Sequence, residues 1–150
     1  MGAFIYYEHN MAELESVYPY RSGVTAHDGT CKYDAMSKTA VDVSSYKRVA
    51  GSSPNQMKAA LMQQPLSVSV HAGLVFQTYK SGVFDDKTCL KSLDHAVLAV
   101  GYGTENGKDY WLIKNSWTDT WGDQGYIKMA VTEGDGICGI QMSPLYPTSN

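Results

Sequence analysis

An α+β fold, mainly antiparallel sheet with a few short helices, is what this sequence predicts, and three observations predict it. Leu66-Ser67-Val68-Ser69-Val70 alternates with period two after the break at Pro65, which puts Leu66, Val68 and Val70 on one face of a half-buried strand. From residue 94 onward the chain has no helical period. Its apolar runs at 96–100, 109–115 and 125–131 read as strands joined by glycine turns at Gly101–Gly103 and Gly122–Gly125. Ser53-Pro54-Asn55-Gln56 carries helix-start signals, with Ser53 as N-cap, Pro54 at the first helical position and Gln56 closing a capping box.

The remaining elements follow in chain order. Ala3-Phe4-Ile5-Tyr6-Tyr7-Glu8-His9 reads as a short helix with an apolar face, breaking near Asn10. Tyr18-Pro19-Tyr20 and the stretch from Ala26 to Cys31 carry turn chemistry, because proline fixes φ and Asp28-Gly29 favours a reversal. Val41, Val43 and Tyr46 suggest a short strand. The helix opened by Pro54 is expected to turn Met57, Leu61 and Met62 inward. The strand at 66–70 should neighbour the one headed by His95.

A chain of 150 residues buries about two thirds of its unfolded surface, enough for one core, and no linker-like or repetitive stretch marks a boundary within it. With 43% hydrophobic and 18% charged residues and a net charge of −3, it offers no electrostatic footprint for nucleic acid. Its apolar runs are far shorter than the roughly 20 residues of a membrane span, and Met1 is followed by no leader or other targeting signal. The three cysteines, Cys31, Cys89 and Cys138, are an odd count, pointing to a reactive thiol or to a partner cysteine elsewhere. They and the histidines are too scattered for a zinc site, so neither metal nor cofactor is expected.

The chemistry gathers at His95 and Asn115. A lone histidine at the head of an aliphatic strand is ordinarily a structural one. Here Asn115, at the end of the next strand, could hydrogen-bond one ring nitrogen while the other faces a nucleophile, as Cys-His-Asn catalysis requires. Trp117 could roof that hydrogen bond and keep water off it, or be an ordinary core tryptophan. His71 follows the strand at 66–70 and could approach the leaving-group side, a solvated loop histidine being the better reading.

His95-Ala96-Val97 with Val100-Gly101-Tyr102-Gly103, Lys114-Asn115-Ser116-Trp117, Trp121-Gly122, Gly125-Tyr126-Ile127 and Cys138-Gly139-Ile140 together resemble the C-terminal half of papain-like cysteine peptidases of the cathepsin L type. The likeness extends upstream through 65–70, 79–84 and Tyr18-Pro19-Tyr20. It implies a papain-like fold in which residues 1–150 are an incomplete C-terminal domain. The antiparallel sheet lobe is retained, the helical lobe is largely absent, and residues 1–20 are a remnant of that lobe and the crossover. It also implies catalytic His95 and Asn115 supported by Trp117 and Trp121. A substrate pocket of Ser69, Leu93, Ala96 and Ser143 would favour an apolar side chain.

The family's nucleophile stands in a Cys-Gly-Ser-Cys-Trp context about 130–150 residues before its histidine, and counting back from His95 runs past residue 1. Cys31 lacks that context and is similar to a disulfide cysteine with its partner in the helical lobe, so it is expected unpaired. The resemblance pairs Cys89 with Cys138, two buried free thiols being the alternative, and so implies an oxidising compartment, lysosomal, vacuolar or secreted. The chain is expected to be inactive alone. Its implied partners are a thiol-bearing N-terminal segment, or another protein covering an apolar lobe surface around Trp117, Trp121 and Ala96, with peptide substrates once complemented. The alternative is a non-catalytic pseudoenzyme acting as a structural or interaction module. Thr118 replaces the family's usual glycine, and a β-branched residue there calls for negative φ, with an altered turn or a slightly crowded cleft edge.

Overall fold

The computed structural model describes residues 1–10, 12–33 and 43–149. The chain divides into two compact units, Met1–Lys47 with Pro147–Asn150, and Arg48–Tyr146.

In the first unit, α1 (Gly2–His9) and the one-turn helix α2 (Ser22–Thr25) precede the strand β1 (Ser45–Arg48). The expected N-terminal helix is present. However, none of its residues is buried, because its apolar side chains ring the helix instead of forming one stripe. Phe4 stacks on Tyr46 at 6.0 Å, and the Ser44 amide donates to the Thr148 carbonyl at 2.8 Å. Of the strand expected around Val41, Val43 and Tyr46, Tyr46 lies in β1 and Val43 is buried, while Val41 lies outside the described residues.

The second unit holds most of the sheet. Its strands are β2 (Leu66–Val70), β3 (Val83–Phe84), β4 (His95–Glu105), β5 (Lys108–Lys114), β6 (Tyr126–Ala130) and the first half of β7 (Leu145–Thr148), in the spatial order β7-β2-β4-β5-β6-β3. All neighbouring pairs in that order are antiparallel except β3 with β6. Leu66, Val68 and Val70 point into the core as their alternation demands. Val70 pairs with His95, so the two strands are neighbours as expected. Trp111, Ile113, Ile127 and Met129 complete this core with Phe76, Met57 and Ile140. Trp111 is fully buried and its Nε1–H donates to the Gln141 Oε1 at 3.0 Å. The Gln141 amide donates in turn to the carbonyls of Thr132 and Gly134, so none of these polar atoms is orphaned.

Three local expectations are corrected. Gly101–Gly103 is not a turn: β4 runs through it to Glu105, with a bulge between Ala99 and Gly101, and the reversal falls at Asn106-Gly107. Both residues there have positive φ, 51° and 76°, as a two-residue hairpin of matching twist requires. The helix α3 (Pro54–Leu61) starts at Ser53 with Pro54 in its first turn, but no side-chain cap bond forms and Gln56 is exposed. Met57 is buried and Leu61 half-buried, while Met62, past the helix end, is 75% exposed. Instead α3 is tied to the sheet by Lys58, which pairs with Asp109 at 2.9 Å and lies over the Tyr102 ring.

Four aspartates of this unit, Asp86, Asp94, Asp109 and Asp135, are held below the usual carboxylate range, chiefly by hydrogen bonds from Thr88, Ala72, Thr104 and Ser52 respectively. A carboxyl whose pKa is lower folded than unfolded stabilises the fold above its unfolded value and loses that contribution as pH falls through the native one. The melting temperature is therefore expected to fall as pH drops below the ordinary aspartate value of 3.8. Scans at pH 7, 4 and 3 check this, and an unchanged midpoint would refute it.

Candidate active site

β4 and β5 are two arms of one hairpin, and the site sits at its open end. His95 is the first residue of β4, and Leu98 faces Lys114, so the chain leaving β5 passes directly beside the start of β4. Asn115 is fixed there by its own amide, which donates to the Gly125 carbonyl at 3.0 Å. The His95 Nε2 then lies 2.8 Å from the Asn115 Oδ1. The Ser116 amide donates to that same oxygen, also at 2.8 Å. A backbone N–H can only donate, so the amide of Asn115 must present its oxygen at this point. The oxygen in turn requires a proton on Nε2, leaving Nδ1 of the neutral ring as the free acceptor. Sequence spacing suggested the pair, and the second bond to Asn115 selects the tautomer.

Asn115 is 9% exposed. The ring of Trp117 stacks on His95, centroids 4.8 Å apart and planes inclined 27°, and so covers the imidazole. Trp121 meets Trp117 edge-on at 5.3 Å and donates its Nε1–H to the Gln77 carbonyl. Phe76, from the one-turn helix α4 (Leu74–Gln77), was not singled out by the sequence, although Leu74-Val75-Phe76 is a short apolar run after Gly73. It stacks on Trp121 at 5.3 Å and meets Trp117 and His95 edge-on. Trp117 and Trp121 are both half-buried against the core. Ala96 is exposed, as is Leu98 at 38%.

Of the pocket residues, Ser69 pairs with Ala96 on the sheet face opposite Val68 and Val70. Leu93 lies against Gly139, where an added Cβ would meet its Cδ2 at 2.8 Å and the Met142 Sδ at 2.9 Å. Ser143 follows Met142, half-buried. Cys89 and Cys138 form a disulfide, and Cys31 is a free, exposed thiol. His71 is not a solvated loop residue. Its side chain is 18% exposed and lies 2.9 Å from the Asp94 carboxylate.

Thr118 corrects the expectation of negative φ: its φ is +64°, the left-handed region that β-branched residues avoid. The Thr118 hydroxyl bonds to that of Thr120 at 2.8 Å. Relief of about 1–2 kcal/mol of strain exceeds the roughly 0.5–1 kcal/mol of extra chain freedom a glycine brings. Thr118→Gly is accordingly expected to raise stability by about 0.5 kcal/mol, read as a higher urea midpoint at unchanged slope.

Among the described residues no group of three or more His, Cys, Asp or Glu side chains is placed to hold a metal ion, and no helix is long and apolar enough to cross a membrane.

The same sheet and hairpin occur in known structures of one class, the thiol-dependent proteases. Bromelain from Ananas comosus, solved in complex with the E64 inhibitor, superposes with a TM-score of 0.86 at 41% identity, covering 99% of this chain and 67% of that one. Digestive procathepsin L 3 of Tenebrio molitor gives 0.88 at 36% identity, covering 98% and 47%. In sequence, the probable cysteine protease RD21B of Arabidopsis thaliana is 48% identical over 138 residues, 90% of this chain and 29% of that protein. Cysteine proteinase 1 of Entamoeba histolytica is 44% identical, covering 98% and 45%. The profile of the papain family cysteine proteases matches residues 1–148. The chain belongs to the papain family of cysteine proteases and corresponds to a C-terminal part. It spans less than half the length of these curated relatives.

Proposed function

We propose that this chain supplies the general base and the orienting amide of a cysteine endopeptidase, and that the nucleophilic thiol comes from a segment outside residues 1–150. The observation that supports this reading most directly is the 2.8 Å bond from His95 Nε2–H to Asn115, which leaves Nδ1 as a proton acceptor under the cover of Trp117. A thiol presented to Nδ1 gives up its proton, and the resulting thiolate is paired with imidazolium, which lowers the thiol pKa. The thiolate attacks the peptide carbonyl and His95 returns the proton to the leaving amine. Water then releases the acyl group, with His95 again acting as base. Asn115 holds the proton on Nε2 and the orientation of the ring throughout.

Of the three cysteines, two are joined, and the third, Cys31, is free and exposed in a Gly29-Thr30-Cys31-Lys32-Tyr33 context unlike that of the family's nucleophile. The isolated chain is therefore inactive in this reading and works with a thiol-bearing partner segment that also covers the face around Ala96 and Leu98. Ser69, Leu93, Ala96 and Ser143 are uncharged and receive an apolar substrate side chain, since no carboxylate there would pair with a basic one. The disulfide supports an oxidising compartment, lysosomal, vacuolar or secreted.

The test is reconstitution. The purified chain should neither hydrolyse a peptide substrate nor label with a papain-directed epoxide, and activity should appear on adding the thiol-bearing segment. Turnover by the mass-verified chain alone, abolished by Cys31→Ser, would overturn the reading.

A further inference from the structure

A second imidazole, His71, anchors the strand entry just ahead of His95. It follows β2 directly, and its Nδ1 lies 2.9 Å from both the Ser92 carbonyl and the Asp94 carboxylate. Two acceptors facing one nitrogen place the proton there, on Nδ1–H. The other oxygen of Asp94 accepts the Ala72 amide at 2.8 Å, and the Asp94 amide donates to the Val70 carbonyl. The last residue of β2 and the first two beyond it are thereby tied to the residue immediately before His95.

The ring also leans on Gly73, where any Cβ would come within 2.7 Å of Nε2. Gly73 opens α4, whose Phe76 meets the edges of both His95 and Trp117. His71 thus touches both structures that frame His95, the start of β4 and the corner leading to Phe76. Asp94 is the charged group bonded to it. Lys91 on the same loop turns to Asp135 and Asp86 is taken by Thr88, while β2, α4 and the turn at Ile137–Gly139 bring no charged side chain.

We propose that His71 is a positioning residue for His95: through Nδ1–H it clamps Asp94, fixing the entry into β4 so that the His95 ring stays between Trp117 and Asn115. The inference rests on the reading of His95 as the base, but it is tested without turnover, so the two can fail separately.

The readout is hydrogen exchange of the His95 Nε2 proton by NMR at one fixed pH. In His71→Ala it should be about fivefold faster than in the native chain, the effect of one lost hydrogen bond on local opening. His71→Asn, whose amide can donate to Asp94, should restore slow exchange. Exchange in His71→Ala at the native rate, or in His71→Asn at the fast rate of His71→Ala, overturns the proposal. Should His71→Ala lose its folded amide spectrum, the asparagine variant decides alone. If these results hold while His95→Ala keeps full turnover in the reconstituted protease, the catalytic reading falls and the clamp stands.

Discussion

Replacing His95 by alanine is expected to lower kcat/KM of the reconstituted protease by on the order of 10⁴-fold, the upper range for a lost general base, because the thiol then has no positioned group to take its proton. Asn115→Ala should be milder, about 10- to 100-fold. It leaves the imidazole in place but orphans Nε2–H and the Ser116 amide, at a cost of about 1–3 kcal/mol. Neither change should unfold the sheet, since neither side chain belongs to the apolar core. Paired kinetics and near-ultraviolet circular dichroism check this. Native-like kcat/KM in Asn115→Ala, with intact dichroism, would remove the amide from the mechanism.

The largest effect on stability is expected from the double change Cys89→Ala with Cys138→Ala. The bond closes a loop between residues 49 apart, and the chain-entropy account of such a loop gives about 4 kcal/mol. For a chain of this size that corresponds to a fall of roughly 10 °C in Tm. Cys31→Ala should leave Tm where it is, since that thiol is exposed and unbonded. Calorimetry of both variants separates the cases. A double variant within 1 °C of the native chain would mean that the disulfide is not a principal support of the fold.

Where one face of a segment is buried, its periodicity read true in the sequence: Leu66, Val68 and Val70 alternate because the sheet has an inside. Elsewhere a residue type was read for its commonest use. The glycines at 101 and 103 look like a turn, yet in β4 the bulge leaves Val100 without a ladder partner and the strand continues past them. The stronger hairpin signal, Asn106-Gly107, lay three residues further on. Met62 has the spacing of a core residue, but the helix ends before it and its side chain leaves the buried stripe. At the site, His95 and Asn115 were legible because strand ends and turns fix their approach. Phe76 and the His71–Asp94 clamp were not, because they depend on how a one-turn helix and a loop pack, which no local period encodes. Thr118 shows the reverse limit: steric preference argued for negative φ, and the surrounding turn overrode it.

The hairpin that carries His95 and Asn115 also sets when they meet. Only twenty residues separate them, joined by a two-residue reversal, and such hairpins form in about 1–10 μs, whereas disulfides form in seconds to hours. In a refolding chain the histidine should therefore find its amide long before the cysteines are oxidised. Pulse-labelled exchange during refolding should show β4 and β5 amides protected in the earliest fraction, ahead of the oxidation of Cys89 and Cys138. The His95–Asn115 hydrogen bond is then among the first things this chain makes, and the covalent lock arrives on a structure already in place.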